Sequence, residues 1–227
     1  MNARHCLGFL VFCLLGLFTG AASAYTCPDE KVNIVVATGL PEVDHQDSAY
    51  KEWGKEVGFV VHHVPSAEHN RTNLLNWMQC KKLSFFLNIS HGATDTSITT
   101  AANEFLTGED IRKNVNFRGR TVFFSHSCDS ASSTGPGSLA RGLKDANARG
   151  FIGTNRAVYC GAPDIGSTTC TVYAVLLHNY TFDKAVTACI AKYKMDSFLV
   201  VNKYTTEKEL DLITPAQLQS IVLEEEL

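Results

Sequence analysis

Charge is sparse and unsegregated in this 227-residue chain: 19% of residues are charged, the formal net charge is -3, and Lys and Arg are scattered rather than gathered into a stripe. Nothing there would neutralise a phosphate backbone, so nucleic acid is not an expected partner. No tandem repeat or low-complexity linker interrupts the chain. Gly135-Pro136-Gly137 lacks the Lys-Ser/Thr of a phosphate loop, and no Gly-x-Ser-x-Gly elbow of a serine hydrolase occurs. His62, His63 and His69 have no cysteine or carboxylate at ligand spacing, and adjacent strand residues point to opposite faces. Neither a metal nor a cofactor is therefore expected.

Long apolar runs are also missing, with one exception at the N-terminus. Arg4 and His5 lead into Leu7 to Phe18, followed by small residues ending Ala22-Ser23-Ala24. A dozen apolar residues are too few to cross a bilayer, which needs about 20. The pattern reads as a secretory signal peptide, residues 1–24, cleaved after Ala24 to leave a secreted protein with no membrane anchor. The mature chain has 227 − 24 = 203 residues, and loss of Arg4 takes its net charge from -3 to -4. Cys6 and Cys13 leave with the leader, and Cys27, Cys80, Cys128, Cys160, Cys170 and Cys189 remain. In an oxidising compartment six cysteines read first as three disulfides. Sequons at Asn70, Asn88 and Asn179 are compatible with a secreted glycoprotein, although Asn88 suits a buried strand end better than a glycan acceptor.

From Val32 to Tyr159 short β-branched runs alternate with segments of helical period, as in a parallel sheet with crossover helices. Strands are predicted at Val32–Ala37, Phe59–Val64, Leu83–Ile89, Thr121–Ser125 and Gly150–Thr154. Helices are predicted around Ser48–Val57 and Ala67–Cys80 and after a Ser138 cap. Asp95 to Asn116 reads as a polar stretch with one helical turn near Glu109–Lys113. Two helices joined at Asn179–Thr181, a strand at Phe198–Asn202 and a last helix opening at Thr214-Pro215 complete the chain. The expectation is one three-layer α/β domain, residues 25–227, around a mostly parallel sheet of about six strands. The third and fourth strands are apolar almost throughout, as central strands are, so ligands belong at their C-terminal ends.

Those ends carry the chemistry. One strand runs into Asn88-Ile89-Ser90-His91-Gly92 and the next into Ser125-His126-Ser127-Cys128-Asp129. Neighbouring parallel strands would bring an imidazole and a thiol to the same sheet edge. A cysteine thiol is mostly protonated at neutral pH, and a nearby imidazole raises the thiolate fraction and later protonates a leaving amine. Gly92, lacking a Cβ, lets its N–H approach a carbonyl and join the Cys128 N–H in stabilising an oxyanion.

An apolar strand ending in His-Gly, then an apolar strand ending two residues before Cys, resembles the caspase-like cysteine peptidases: caspases, metacaspases, legumains, gingipains and separases. Ser-Cys-Asp-Ser-Ala-Ser at Cys128 is similar to the metacaspase and legumain sequences, and Asp44-His45-Gln46-Asp47 resembles the legumain segment after the first strand. The resemblance covers Val32 to Thr154. It implies a caspase-hemoglobinase-like fold, a peptide or protein substrate, Cys128 as nucleophile, His91 as base and acid, and Gly92 at the oxyanion. It also implies a substrate pocket built from Asp44, His126, Asp129 and Asp164, with Asp47 nearby. The Gln-Ala-Cys-Gly signature of caspases is absent and the spacing 128 − 91 = 37 falls short of the caspase value of about 50, so caspase specificity for aspartate is not implied. Carboxylates in the pocket favour Arg or Lys before the scissile bond. A protonated His126 would oppose such a cation, which predicts a weaker preference as pH falls through about 6.5.

With Cys128 assigned to catalysis, five cysteines leave at most two bridges. The strand order implied by the resemblance makes the starts of the first and third strands neighbours, which pairs Cys27 with Cys80. Cys170 and Cys189 flank the turn near Tyr180 at similar distances, so an antiparallel helix pair would join them and leave Cys160 free; Cys160 with Cys170 is the alternative. Two functional readings stand, a secreted cysteine endopeptidase and a catalytically silent binding or regulatory module of the same fold.

Overall fold

The computed structural model describes residues 25–159, 164–194 and 199–225. The leader Met1–Ala24 and Cys160 lie outside the described residues. Among the described residues nine strands appear: β1 (Ile34–Thr38), β2 (Val61–Val64), β3 (Phe85–Ile89), β4 (His91–Thr94), β5 (Ser97–Thr99), β6 (Phe105–Thr107), β7 (Val122–His126), β8 (Gly150–Thr154) and β9 (Leu199–Lys203). The helices are α1 (Asp47–Glu56), α2 (Arg71–Met78), α3 (Gly108–Asn114), α4 (Leu139–Asp145), α5 (Asp164–His178), α6 (Phe182–Lys192) and α7 (Pro215–Glu225).

Six strands make one sheet in the order β2-β1-β3-β7-β8-β9, parallel except for β9, which runs antiparallel to β8. The four inner strands are buried along their whole length because both faces are covered. Strand alternation divides their side chains cleanly. Val35, Ala37, Phe86, Phe123 and Phe151 pack with Leu74, Leu75 and Met78 of α2 and with Leu139 and Leu143 of α4. Ile34, Val36, Phe85, Leu87, Val122, Phe124 and Ile152 pack with Tyr50 of α1, Val172 and Val175 of α5, and Phe182 of α6.

The starts of the first strand and the second helix shift inward. β1 begins at Ile34, and the Asn33 side chain before it receives the Val60 N–H at 3.1 Å and donates to the Lys82 carbonyl at 3.3 Å. Asn70 caps α2 by accepting the Asn73 N–H at 2.9 Å, so the helix starts at Arg71 and Ser66–Glu68 form a separate 3-10 turn. Within the stretch read as polar loop, β4, β5 and β6 build a small antiparallel sheet. Its strands of three or four residues are too short for alternation to register; Ile98 and Leu106 are its buried anchors.

Cys27 is bridged to Cys80 and Cys170 to Cys189, with Cα separations of 4.7 and 5.8 Å, both within disulfide range. The alternative partner for Cys170 is thereby excluded. Among the described residues no helix is long and apolar enough to cross a membrane, and Cys128 is the free cysteine.

Candidate active site

The register pairs Ile89 of β3 with His126 of β7, and the Ser90 N–H continues the ladder to the His126 carbonyl at 3.2 Å. Both strands thus finish at one edge, and the next residues of each leave the sheet together. A Cβ built on Gly92 would lie 2.1 Å from the Cys128 carbonyl oxygen and 2.7 Å from its nitrogen, so the main chains of residues 92 and 128 are in direct contact. Only glycine permits that approach.

Cys128 is half-buried, and its Sγ is bracketed by the Val158 N–H at 3.4 Å and the Val158 carbonyl at 3.5 Å, on the loop after β8. Asp129 follows with φ +54°, a left-handed conformation that aspartate tolerates, and turns the chain so that its N–H reaches the Arg156 carbonyl at 3.1 Å. Ser127, before the cysteine, is held by its hydroxyl on Ser125 at 2.7 Å and by the Thr154 hydroxyl on its carbonyl. Cys128 is therefore pinned from β7, β8 and the loop after β8.

His91 opens β4, opposite Thr99 of β5, and its ring is exposed. Beside it lies a groove of about 440 Å³ walled by Gly39, Leu40, Ser66, Ala67 and Thr100. No side chain on this wall other than the histidine carries an ionisable group.

Apart from Asp129, on the turn after Cys128, the residues expected to form the substrate pocket fall into two groups. His126 and Asp164 lie together. His126 is fully buried, with Nδ1 2.8 Å from the Thr168 hydroxyl and Nε2 3.3 Å from the Tyr159 carbonyl. Burial pushes its pKa down, against the pull of the Tyr159 carbonyl. Asp164 is 4% exposed; Arg156 Nη2 lies 3.1 Å from one oxygen and the Tyr159 N–H donates to the other at 2.9 Å.

Asp44 and Asp47 lie with His63 at the ends of β1 and β2. Asp44 accepts from the Thr38 hydroxyl, from the Ser66 N–H at 3.0 Å and from the Ser66 hydroxyl at 2.6 Å. Burial opposes its charge, but these donors hold the carboxyl below its usual range. Asp47 pairs with Lys51 Nζ at 2.7 Å and lies 3.4 Å from His63 Nδ1. His62 stacks on Trp77 with ring centroids 3.8 Å apart, and His69 turns beneath the site, so the three histidines go to three places.

No protein-family model matches the sequence, and no curated protein matches it. Solved structures do. The chain superposes on the Arg-specific cysteine proteinase gingipain R with a TM-score of 0.63 at 15% identity, over 85% of this chain and 50% of that one. This is a caspase-like fold. The caspase-like arrangement also matches the complex of Porphyromonas gingivalis gingipain pro- and mature domains, with TM-score 0.59, 13% identity, and 83% of this chain against 52% of that one. In the Saccharomyces cerevisiae separase–securin complex the same fold is matched with TM-score 0.55 and 14% identity, over 76% of this chain and 12% of that one. The chain thus spans about half of the gingipain chains and a small part of separase.

One part of the caspase-like core escaped sequence reading. His69, 1% exposed, bonds through Nε2 to Asn88 Oδ1 at 2.9 Å, and Asn88 is wholly buried in β3. Its signal is a polar side chain inside the apolar run Leu87-Asn88-Ile89, which has no place in a central strand without a partner.

Proposed function

We propose that the protein is a secreted cysteine endopeptidase. Cys128 is the nucleophile, His91 the general base and acid, and the N–H groups of Gly92 and Cys128 the oxyanion donors. The observation that carries this reading is the seating of Gly92 on the backbone of a free, half-exposed cysteine, at the ends of adjacent parallel strands of a fold shared with cysteine proteinases. The imidazole takes the thiol proton as the sulfur adds to the scissile carbonyl carbon. The carbonyl electrons move onto oxygen, where backbone N–H groups offset the charge. Collapse breaks the C–N bond, the imidazolium gives its proton to the leaving amine, and water then hydrolyses the thioester with His91 as base.

The disulfides and the leader Met1–Ala24 support an extracytoplasmic site of action. The Asp164 carboxylate is matched by Arg156 and that of Asp47 by Lys51, so preference for Arg or Lys before the scissile bond rests on Asp44 and Asp129.

The test is to treat the purified protein with a peptide bearing a thiol-directed electrophile and to map the adduct. Modification of Cys128, lost in His91→Ala, is the expected result. Cleavage of peptide substrates by Cys128→Ala at the wild-type rate would refute the assignment, whereas a folded protein with an inert Cys128 would be a silent binding module.

A further inference from the structure

A continuous chain of buried hydrogen bonds runs beneath the site and reaches both halves of it. Its far end is His69, just before α2. The Ala101 N–H donates to His69 Nδ1 at 3.3 Å and to the His69 carbonyl at 3.1 Å. Because Nδ1 accepts, the ring proton sits on Nε2 and is donated to Asn88 Oδ1 at 2.9 Å. That bond fixes the Asn88 amide, whose Nδ2 then faces two hydroxyls, Ser90 at 2.9 Å and Ser125 at 3.4 Å. Here the chain branches. Ser90 Oγ donates to the carbonyl of His91 at 3.2 Å, and Ser125 Oγ bonds to Ser127 Oγ, adjacent to Cys128.

Resting on the assignment of Cys128 and His91 made above, we propose that His69 and Asn88 are positioning residues that set the imidazole of His91 and the thiol of Cys128 relative to each other. A polar network in a central strand is costly to bury unless every member is satisfied. An aliphatic residue at 88 would fill the same space without that requirement. The amide of Asn88 is the one side chain that joins the two branches, to Ser90 before His91 and to Ser125 before Ser127. Orientation of the amide is decided at its other end, because an Nε2–H donor accepts only the carbonyl oxygen as partner. The ring is held in that tautomer by the Ala101 N–H, on the segment walling the groove beside His91. The groove wall, the main chain of His91 and the Ser127 hydroxyl beside Cys128 thus share one set of hydrogen bonds.

The experiment measures the rate of Cys128 alkylation by iodoacetamide from about pH 6 to pH 9, which reads the thiolate and its partner directly. It compares the wild type with His91→Ala, Asn88→Ala, His69→Leu, His69→Gln and Ser90→Ala, each checked for a cooperative melt. His91→Ala should slow the reaction at neutral pH and move its midpoint upward. Asn88→Ala and His69→Leu should reproduce at least about tenfold of that slowing, as expected for a reacting group displaced by a fraction of an ångström. His69→Gln, which keeps an N–H donor for Asn88, should recover most of the rate, a rescue that a space-filling role would not produce.

If Asn88→Ala and His69→Leu lower only the melting temperature and keep the wild-type profile, the relay is refuted while the catalytic pair stands. Should Asn88→Ala fail to fold, Ser90→Ala and the His69→Gln and His69→Leu pair decide the matter by the same readout. An unchanged profile in His91→Ala overturns the catalytic pair itself, and the relay with it.

Discussion

Replacing Gly92 by alanine would test the active-site geometry at its tightest point. The added methyl carbon would stand 2.1 Å from the Cys128 carbonyl oxygen, 2.7 Å from its nitrogen and 2.9 Å from its carbonyl carbon. Ordinary contact begins at 3.4 Å, so the two backbones must separate by 3.4 − 2.1 = 1.3 Å. No rotamer relieves this, because every atom in the way belongs to the main chain. Nor is Cys128 free to move, since the Asp129 N–H is bonded to Arg156 and the Ser127 carbonyl to Thr154. Overpacking of this kind costs roughly 1–3 kcal/mol, which in a domain of this size lowers the melting temperature by roughly 2–4 °C per kcal/mol. The effect on chemistry should be larger in proportion. A displacement near 1 Å at the reacting centre costs about 100-fold, and a misaligned oxyanion donor costs a similar factor. Peptide hydrolysis by Gly92→Ala should therefore fall about 100-fold or more in kcat/KM while the protein still melts cooperatively. Gly135→Ala is the control, because its Cβ meets only the Ser133 hydroxyl, at 3.4 Å. Wild-type kcat/KM in Gly92→Ala would refute the placement of residue 92 against the nucleophile.

Acidification should destabilise the protein before its carboxylates titrate. His69 and His126 are buried and have lowered pKa values, so the unfolded chain takes up protons first; the stability they confer is present above about pH 6.5 and lost below it, by at most about 1.4 kcal/mol per pH unit for each. Urea midpoints at about pH 7.5 and pH 5.5 check this, and stability that is flat or rising on acidification would refute it. Breaking the Cys27–Cys80 bridge, which closes 53 residues, should cost about 4 kcal/mol against about 3 kcal/mol for the 19-residue Cys170–Cys189 loop; denaturation of the two double-serine variants gives the order, and the reverse order would count against the loop-entropy account. Expressed in secretory cells, the protein should carry a glycan at Asn179, exposed in the turn between α5 and α6, and none at Asn88, which is fully buried. Intact mass before and after glycosidase treatment, with Asn179→Gln as control, reads this out, and an occupied Asn88 in folded protein would contradict the structure.

Much of the fold was legible because its causes are local. Apolar runs such as Leu83 to Ile89 and Thr121 to Ser125 have no polar face to present to water, so they read as central strands, and β3 and β7 are those strands. Ser138 and Thr214 marked helix starts through the backbone donors their hydroxyls satisfy, at 3.1 Å to the Arg141 N–H and 3.4 Å to the Gln217 N–H. The pairing of Cys27 with Cys80 rested on the strand order that the caspase-like resemblance implied, which the sheet has. His91, Gly92 and Cys128 were named from the sequence because strand ends are where a parallel sheet exposes its side chains.

What tertiary structure alone decided are the contacts between segments distant in the chain. Asp164 reads as a free pocket carboxylate in sequence, but Arg156 and the Tyr159 N–H, brought round by the loop after β8, satisfy it. His126 reads as a titrating histidine near 6.5, but α5 closes over it and burial pushes its pKa down. The link from His69 to Asn88 spans 19 residues and exists only because β2 and β3 flank β1, which sets the start of α2 over the end of β3. Residue type sets what a side chain can donate, accept or titrate; packing determines which partners it meets, and here those partners give Asp47 and Asp164 cations of their own and make a buried polar strand residue a bridge between the segments that follow β3 and end β7.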